Sequence, residues 1–263
     1  GYGEVTVLLG PKADRAVIEA EQALAEAVLA ATGDAAPRLR LVDPAEPDAL
    51  AEVLRGPVPA PTGVEPIMAA GGRRDGTRLA ATALATAGGR ALPAAPLPLP
   101  EGAPYGAVLV NTDTCTLCLA CAGLCPTGAL MDNPDSPELS FRESACIQCG
   151  ICANVCPETA ITLEPRLDLT DAAFKPVVKK AEEPFACIEC GALFGVRSTV
   201  ERIIAKLQGN HAMFTNSDNA RLIQMCDDCR VKAQFRAPSN PFAAADRPRT
   251  RTTEDYLDER GDT

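Results

Sequence analysis

Tryptophan is absent from this chain of 263 residues, histidine occurs once, and aromatic residues make up 4% of it. A single imidazole, His211, leaves little equipment for acid–base catalysis. No Ser/His/Asp, Cys/His or Gly-Lys-Ser/Thr arrangement supplies a nucleophile or a phosphate clamp. His211 itself reads as a surface or helix-end residue. Basic charge is also short: 25 Lys and Arg stand against 35 Asp and Glu, a net charge of −10. That balance argues against a nucleic-acid backbone or an anionic membrane surface as the main partner. No apolar run reaches the roughly 18 residues that cross a bilayer, so no membrane span is expected. Gly1 stands in place of Met and no signal-peptide pattern follows it, which suggests a processed product or a piece of a longer polypeptide.

Cysteine is the exception to this scarcity. All twelve cysteines fall between Cys115 and Cys229. A disulfide framework would spread its cysteines along the chain, whereas pairs this close remove little loop entropy. Metal-bound thiolates are the better reading. They imply a reducing compartment, with the cytoplasm as the default.

Two runs dominate: Cys115-x-x-Cys118-x-x-Cys121-x-x-x-Cys125-Pro126 and Cys146-x-x-Cys149-x-x-Cys152-x-x-x-Cys156-Pro157. Each cysteine of the second lies 31 residues after its counterpart. The repeat extends beyond the thiols. Val108-Leu109-Val110 precedes the first run as Leu139-Ser140-Phe141 precedes the second, and Gly128 to Met131 follow the first as Thr159 to Thr162 follow the second. Each half reads strand, cluster loop, helical turn, strand, with Asp132 to Pro137 as the joining turn. Two-residue gaps let a tight turn aim three sulfurs at one side of an iron–sulfur cube. The fourth cysteine sits too far along to reach the same cube.

These eight cysteines and both prolines resemble the bacterial-type two-[4Fe–4S] ferredoxin family over about sixty residues. The resemblance implies a pseudo-twofold α+β unit with two low-potential clusters. In that family the fourth cysteine of each run ligates the other cluster. One cluster is then expected on Cys115, Cys118, Cys121 and Cys156, and the other on Cys146, Cys149, Cys152 and Cys125. Leu117, Leu119, Leu124, Ile147, Ile151 and Val155 would pack around the ligands and keep water out. Residues 105–165 carry Asp113, Asp132, Asp135, Glu138, Glu143, Glu158 and Glu164 against Arg142 alone. An acidic rim of this kind suits docking on a basic face of a redox partner.

A second thiol site pairs Cys187-Ile188-Glu189-Cys190-Gly191 with Cys226-Asp227-Asp228-Cys229. It resembles a zinc-ribbon-like four-cysteine site with a helical insert, Ser198 to Leu207, for which Ser198 is the expected N-cap and Gly209 the end. Zn2+ is expected there in preference to a third iron–sulfur cluster or a dithiol redox pair. Residues 187–230 balance Arg197, Arg202, Lys206, Arg221 and Arg230 with five acids, so nucleic acid is not an expected partner of this site.

The fold class expected overall is α+β. Residues 1–100 read as a small α/β domain: strands at Val5–Leu9, Leu39–Val42 and Ile67–Ala70, helices at Asp14–Ala31, Asp48–Leu54 and up to Ala87, and a parallel, three-layer arrangement. A Pro-rich linker from Ala91 to Pro104 ends it. The ferredoxin domain covers 101–166, a charged connector 167–186, the zinc-ribbon-like domain 187–232, and an extended or disordered tail 233–263. Gly71-Gly72-Arg73-Arg74-Asp75-Gly76-Thr77 opens a helix and could hold a phosphate of flavin or nucleotide, although the spacing is not Gly-x-Gly-x-x-Gly.

The expected function is that of an electron-transfer protein or subunit. It would relay single electrons through two [4Fe–4S] clusters to or from a partner such as a dehydrogenase or reductase subunit. The layout is similar to that of polyferredoxin-like multidomain proteins, an electron-transfer component rather than a self-contained catalyst. Two alternatives stand beside it: a redox enzyme subunit with flavin or nucleotide on the N-terminal segment, and a redox-sensing or assembly protein.

Overall fold

The computed structural model describes residues 3–33, 36–43, 47–65, 67–68, 71–207, 210, 217–236 and 252–253. The fold is mixed α and β, and the chain divides into two compact units, Gly1–Glu182 and Glu183–Thr263.

The first unit opens with alternating strand and helix. β1 (Val5–Leu8) and β2 (Leu39–Val42) pair in parallel, Val5 opposite Leu39. A parallel pair needs a crossover, and the Ala/Glu-rich stretch between them supplies it as α1, Arg15–Ala31. Asp14 caps α1, its carboxylate accepting from the Val17 amide at 3.3 Å. α2 covers Pro47–Leu54 and α3 Arg73–Ala85. The expected third strand is not found at Ile67 and Met68, whose backbone is irregular; Ala69 and Ala70 lie outside the described residues. Met68 is 87% exposed, so this short apolar run has no sheet face to bury. Among the described residues the parallel sheet is a pair.

The proline-rich stretch is tied down rather than free. Leu97–Pro98 form β3, antiparallel to β7 (Ile161–Leu167), with Leu97 opposite Leu167. Pro98 is tolerated because an edge strand leaves one side of its backbone unpaired. β7 also pairs with β4 (Gly106–Val110), giving the order β3-β7-β4. Leu97, Tyr105, Leu167 and Leu169 form one core with Val28 of α1 and Ala81 and Ala85 of α3. Burying each of Leu97 and Leu167 stabilises this junction by about 1.5–3 kcal/mol. The N-terminal helices and the strands flanking the cysteine loops thus share a core. The charged connector also contributes: β8 (Val177–Ala181) pairs with β6 (Glu138–Phe141), which pairs with β5 (Leu130–Asp132).

The 31-residue repeat is visible in the backbone. α4 (Ala120–Gly123) and α5 (Ile151–Asn154) are equivalent one-turn helices. Asn111 donates to the carbonyl of Ala160 and Arg142 to that of Ala129, both at 2.8 Å, the same bond in each half. Left-handed residues recur in step: Leu117 (φ 50°) with Gln148 (55°), Leu119 (60°) with Gly150 (78°), and Gly128 (61°) with Thr159 (50°). Non-glycine residues held there cost roughly 1–2 kcal/mol each. Such strain recurs at both loops, between and beside the cysteines.

The second unit is a short hairpin and three helices among the described residues. β9 (Pro184–Ala186) pairs antiparallel with β10 (Leu193–Val196), and Phe185 meets Phe194 edge-on at 5.7 Å. α6 runs Arg197–Leu207, one residue earlier than the expected start, followed by α7 (Ser217–Leu222) and α8 (Asp227–Arg236). Arg230 of α8 donates to the carbonyls of Leu222 at 3.0 Å and Met225 at 3.1 Å, fixing α8 to the end of α7. His211, Gly209, and most of the tail, 237–251 and 254–263, lie outside the described residues.

Candidate metal centres

The two cysteine runs build two small cages. Cys115, Cys118 and Cys121 line the first together with Cys156, closed by Leu117, Leu119, Leu139 and Ile161. Cys146, Cys149 and Cys152 line the second together with Cys125, closed by Val108, Ala129, Leu130, Phe141 and Leu163. The fourth cysteine of each run thus lies in the other run's cage. The one-turn helices α4 and α5 carry the third cysteine of each run, Cys121 and Cys152, and Pro126 and Pro157 turn the chain after the fourth. Cys118 and Cys149, equivalent in the repeat, are the exposed cysteines of their cages, while Cys121 and Cys146 are buried.

Amide groups face the sulfurs. Leu117 donates to Cys115 Sγ at 3.5 Å and Ala160 to Cys156 Sγ at 3.3 Å. Gln148 Nε2 reaches Cys146 Sγ at 3.4 Å while also donating to the Ala107 carbonyl at 3.1 Å. Burial, reinforced by Cys118 and Cys115, pushes the Cys121 thiol up to about 11. Burial likewise raises Cys146 and Cys152, and the charge of Cys125 adds to both. Cys125 goes the other way: burial opposes ionisation, but amides of Leu130, Thr127 and Ala129 and the Thr127 hydroxyl outweigh it. Raised thiols such as Cys121, Cys146 and Cys152 hold thiolate only when a cation balances it, which is the condition a metal centre meets.

The expected shield of apolar residues is uneven. Leu117 is buried, Leu119 and Val155 half-buried, and Leu124, Ile147 and Ile151 exposed on the outer side of their turns. The acidic rim is narrower than composition suggests. Glu143 is buried and held by Arg166, Nη2 to Oε2 at 2.8 Å, and the same guanidinium holds Glu164 at 2.8 Å. Asp113, Asp132 and Asp135 remain exposed.

In the second unit, Cys187, Cys190, Cys226 and Cys229 bring their sulfurs within 4.8 Å of one another. Cys190 and Cys226 approach to 3.6 Å. Cys187 and Cys190 sit in the β9–β10 turn, Cys226 precedes α8, and Cys229 lies in its first turn. Gly191 (φ 73°) closes the knuckle, its amide donating to the Cys187 carbonyl at 2.9 Å. Burial opposes ionisation of Cys187, yet amides of Cys226, Cys190 and Glu189 pull it down to about 6. Hydrogen bonds with Cys190 and Cys226 push Cys229 up to about 12. A single tetrahedral zinc at about 2.3 Å from each sulfur would set them about 3.8 Å apart, and the observed spacing accommodates this. Among the described residues this is the one group of three or more Cys, His, Asp or Glu side chains gathered so closely, so the cage sulfurs stand further apart.

The glycine turn that could hold a phosphate is already filled. The Gly72 amide donates to Asp75 Oδ2 at 3.1 Å, placing a carboxylate where a phosphate oxygen would have to bind. Beside it, α1, α3 and β2 border a cavity of about 1130 Å³ lined by Leu24, Val28, Leu84, Arg74 and Tyr105 among others. Two cations near the cages carried no sequence signal. Arg74 donates to the Cys146 carbonyl, and Lys180 to the Cys115 carbonyl.

A family model of the 4Fe-4S dicluster domain matches residues 114–161, the span of both cysteine runs. No curated protein matches the chain. The match supports a ferredoxin-type iron–sulfur domain here, with electron transfer as its general role.

Proposed function

We propose that the chain is an electron-relay protein or subunit, with one [4Fe–4S] cluster on Cys115, Cys118, Cys121 and Cys156 and a second on Cys125, Cys146, Cys149 and Cys152. The observation that carries this reading is the exchange of fourth cysteines between two cages, which ties the halves together and sets the two centres side by side. When bound, the clusters supply one-electron storage and transfer. The chain's own residues do the rest. The thiolates anchor the irons, the Leu117 and Ala160 amides and Gln148 stabilise the sulfur charge, and Leu117, Leu139, Phe141 and Leu163 exclude water. The exposed Cys118 and Cys149 mark where each cage comes nearest to a docked partner. That partner is a redox protein with a basic docking face, met by Asp113, Asp132 and Asp135.

The four-cysteine group of the second unit is read as a structural zinc knot. Four thiolates within 4.8 Å suit one ion, whereas a cubane binds each thiolate to a different iron and needs them further apart. A closed tetrahedron leaves no open position for chemistry, so its role is to hold the hairpin and α8 together. The zinc knot's unit, from about residue 183, goes with this reading, while β3 and β8 tie the stretches on either side to the cysteine loops.

Metal analysis and low-temperature EPR of anaerobically purified protein test it. About eight irons and one zinc per chain are expected, with reduced spectra of two interacting spins. Four irons or fewer would defeat the assignment. The cavity beside Tyr105 favours, second, a bound flavin or nucleotide. A flavin band in the purified protein supports that; a spectrum with the cluster shoulder alone removes it.

A further inference from the structure

Arg74 and Lys180 stand in equivalent places. Cys115 and Cys146 are the first ligand positions of the two repeats, 31 residues apart. Arg74 Nη2 donates to the Cys146 carbonyl at 2.6 Å, with Nη1 on the Pro104 carbonyl at 2.5 Å and the guanidinium stacked 4.3 Å over Tyr105. Lys180 Nζ donates to the Cys115 carbonyl and, at 2.8 Å, to that of Thr112. Neither cation belongs to the repeat. Arg74 comes from α3 and Lys180 from β8, the two elements that flank the ferredoxin core. The twofold logic of the cysteine loops therefore extends to charges delivered from outside them.

The two cations differ in their compensation. Lys180 is paired with Glu182 at 2.8 Å, and Glu158 lines the same cage. Arg74 has no carboxylate partner among the described residues, and one helical turn on lies a second arginine. Arg78 is 5% exposed; it donates to the Asp168 carbonyl and stacks near Tyr105 and Phe174, and its Nε and Nη2 meet no hydrogen-bond acceptor among the described residues. Burial and then the charge of Arg74 lower the pKa of Arg78, outweighing the opposing charges of Glu143 and Asp168. Glu143 lies near this pair but is taken up by Arg166. Two like charges one turn apart, one buried and one half-buried, are costly unless an anion lies close. A thiolate-ligated cluster, whose negative charge grows on reduction, is such an anion.

We propose that Arg74 and Lys180 are matched charge donors to the two cages, and that the less compensated Arg74, backed by Arg78, makes the centre on Cys125, Cys146, Cys149 and Cys152 the first to be reduced. This rests on the two-cluster reading. Adding one electron to a centre adds one negative charge to it. The nearby cation stabilises that form and raises the potential. The pairing of Lys180 with Glu182 leaves the other centre lower.

An EPR-monitored titration of the full-length holoprotein with dithionite tests this. Arg74→Gln is expected to lower the higher of the two potentials and narrow the gap between them, by about a tenfold loss in the reduction equilibrium, about 59 mV for one electron. Lys180→Gln lowers the lower potential and widens the gap. Arg74→Lys keeps the charge and retains most of the wild-type gap, separating charge from shape. Glu182→Gln, which leaves the core untouched, raises the lower potential and narrows the gap from below. An unchanged gap in Arg74→Gln and Glu182→Gln, or a gap widened by Arg74→Gln, overturns the proposal while leaving the clusters in place. Absence of two clusters from the wild-type protein overturns the reading beneath it instead.

Discussion

The C-x-x-C element occurs in both units, and its surroundings decide what it can hold. In the first unit, left-handed residues lie between the cysteines, and each cage is lined by the fourth cysteine of the other repeat. In the second, a hairpin knuckle and a helix start bring four sulfurs within 4.8 Å. In the first arrangement each cage has one neighbouring cage, and each is lined by a cysteine from the other's run. The second, on the reading proposed above, would close on a single ion. Cysteine spacing alone states the ligand count; the turns between and around the cysteines state how far apart the sulfurs stand.

The comparison breaks most visibly by removing metal. A chelator strong for zinc, or Cys190→Ser, is expected to unfold the second unit, because structural zinc supplies on the order of 10 kcal/mol to a domain with few buried side chains. The cluster absorption of the first unit should stay. Hydrogen exchange resolves the two; protection of α6 and α8 that survives zinc removal would show that the knot is not structural. Acid acts in the same direction. Without metal, Cys229 at about 12 is protonated at neutral pH and Cys187 at about 6 is ionised. Zinc uptake therefore releases protons, and affinity falls as pH drops, further so once Cys187 is protonated. A zinc affinity constant from roughly pH 6 to 8 would contradict this.

A smaller effect probes the shared core of the first unit. Leu97→Ala should cost about 2–5 kcal/mol by opening a cavity beneath α1 and α3. Thermal melts and exchange protection in α3 would report it. A change below about 1 kcal/mol would mean that the N-terminal helices are not anchored through β3. The smallest effect sharpens the repeat. Thr159 is exposed and β-branched at φ 50°, where its counterpart is Gly128. Thr159→Gly should stabilise by about 1 kcal/mol in denaturant titrations, and Gly128→Ala should destabilise by a similar amount. Equal and opposite failure of both would remove the strain argument.

Much of this was legible before the fold was known. The 31-residue repeat, α1 with β1 and β2, and the amphipathic α6 all have strong local patterns. What was hidden came from elsewhere in the chain. Leu97–Pro98 looks like linker because a two-residue edge strand has no periodicity, and its reason for existing is Leu167. Val177–Ala181 is disguised by Lys179 and Lys180, yet it completes a sheet on β6. Ile67 and Met68 show the reverse: apolar residues with no face to cover. Arg74 and Lys180 could not be read at all, because each meets its carbonyl 72 or 65 residues away.

The proposed exchange of ligands is tested most directly by mapping thiol protection in Cys125→Ser. The variant is purified anaerobically, alkylated while folded, and read by peptide mass spectrometry. Cys146, Cys149 and Cys152 are expected to become reactive while Cys115, Cys118, Cys121 and Cys156 stay protected. Reactivity confined to Cys115, Cys118 and Cys121 would contradict the account.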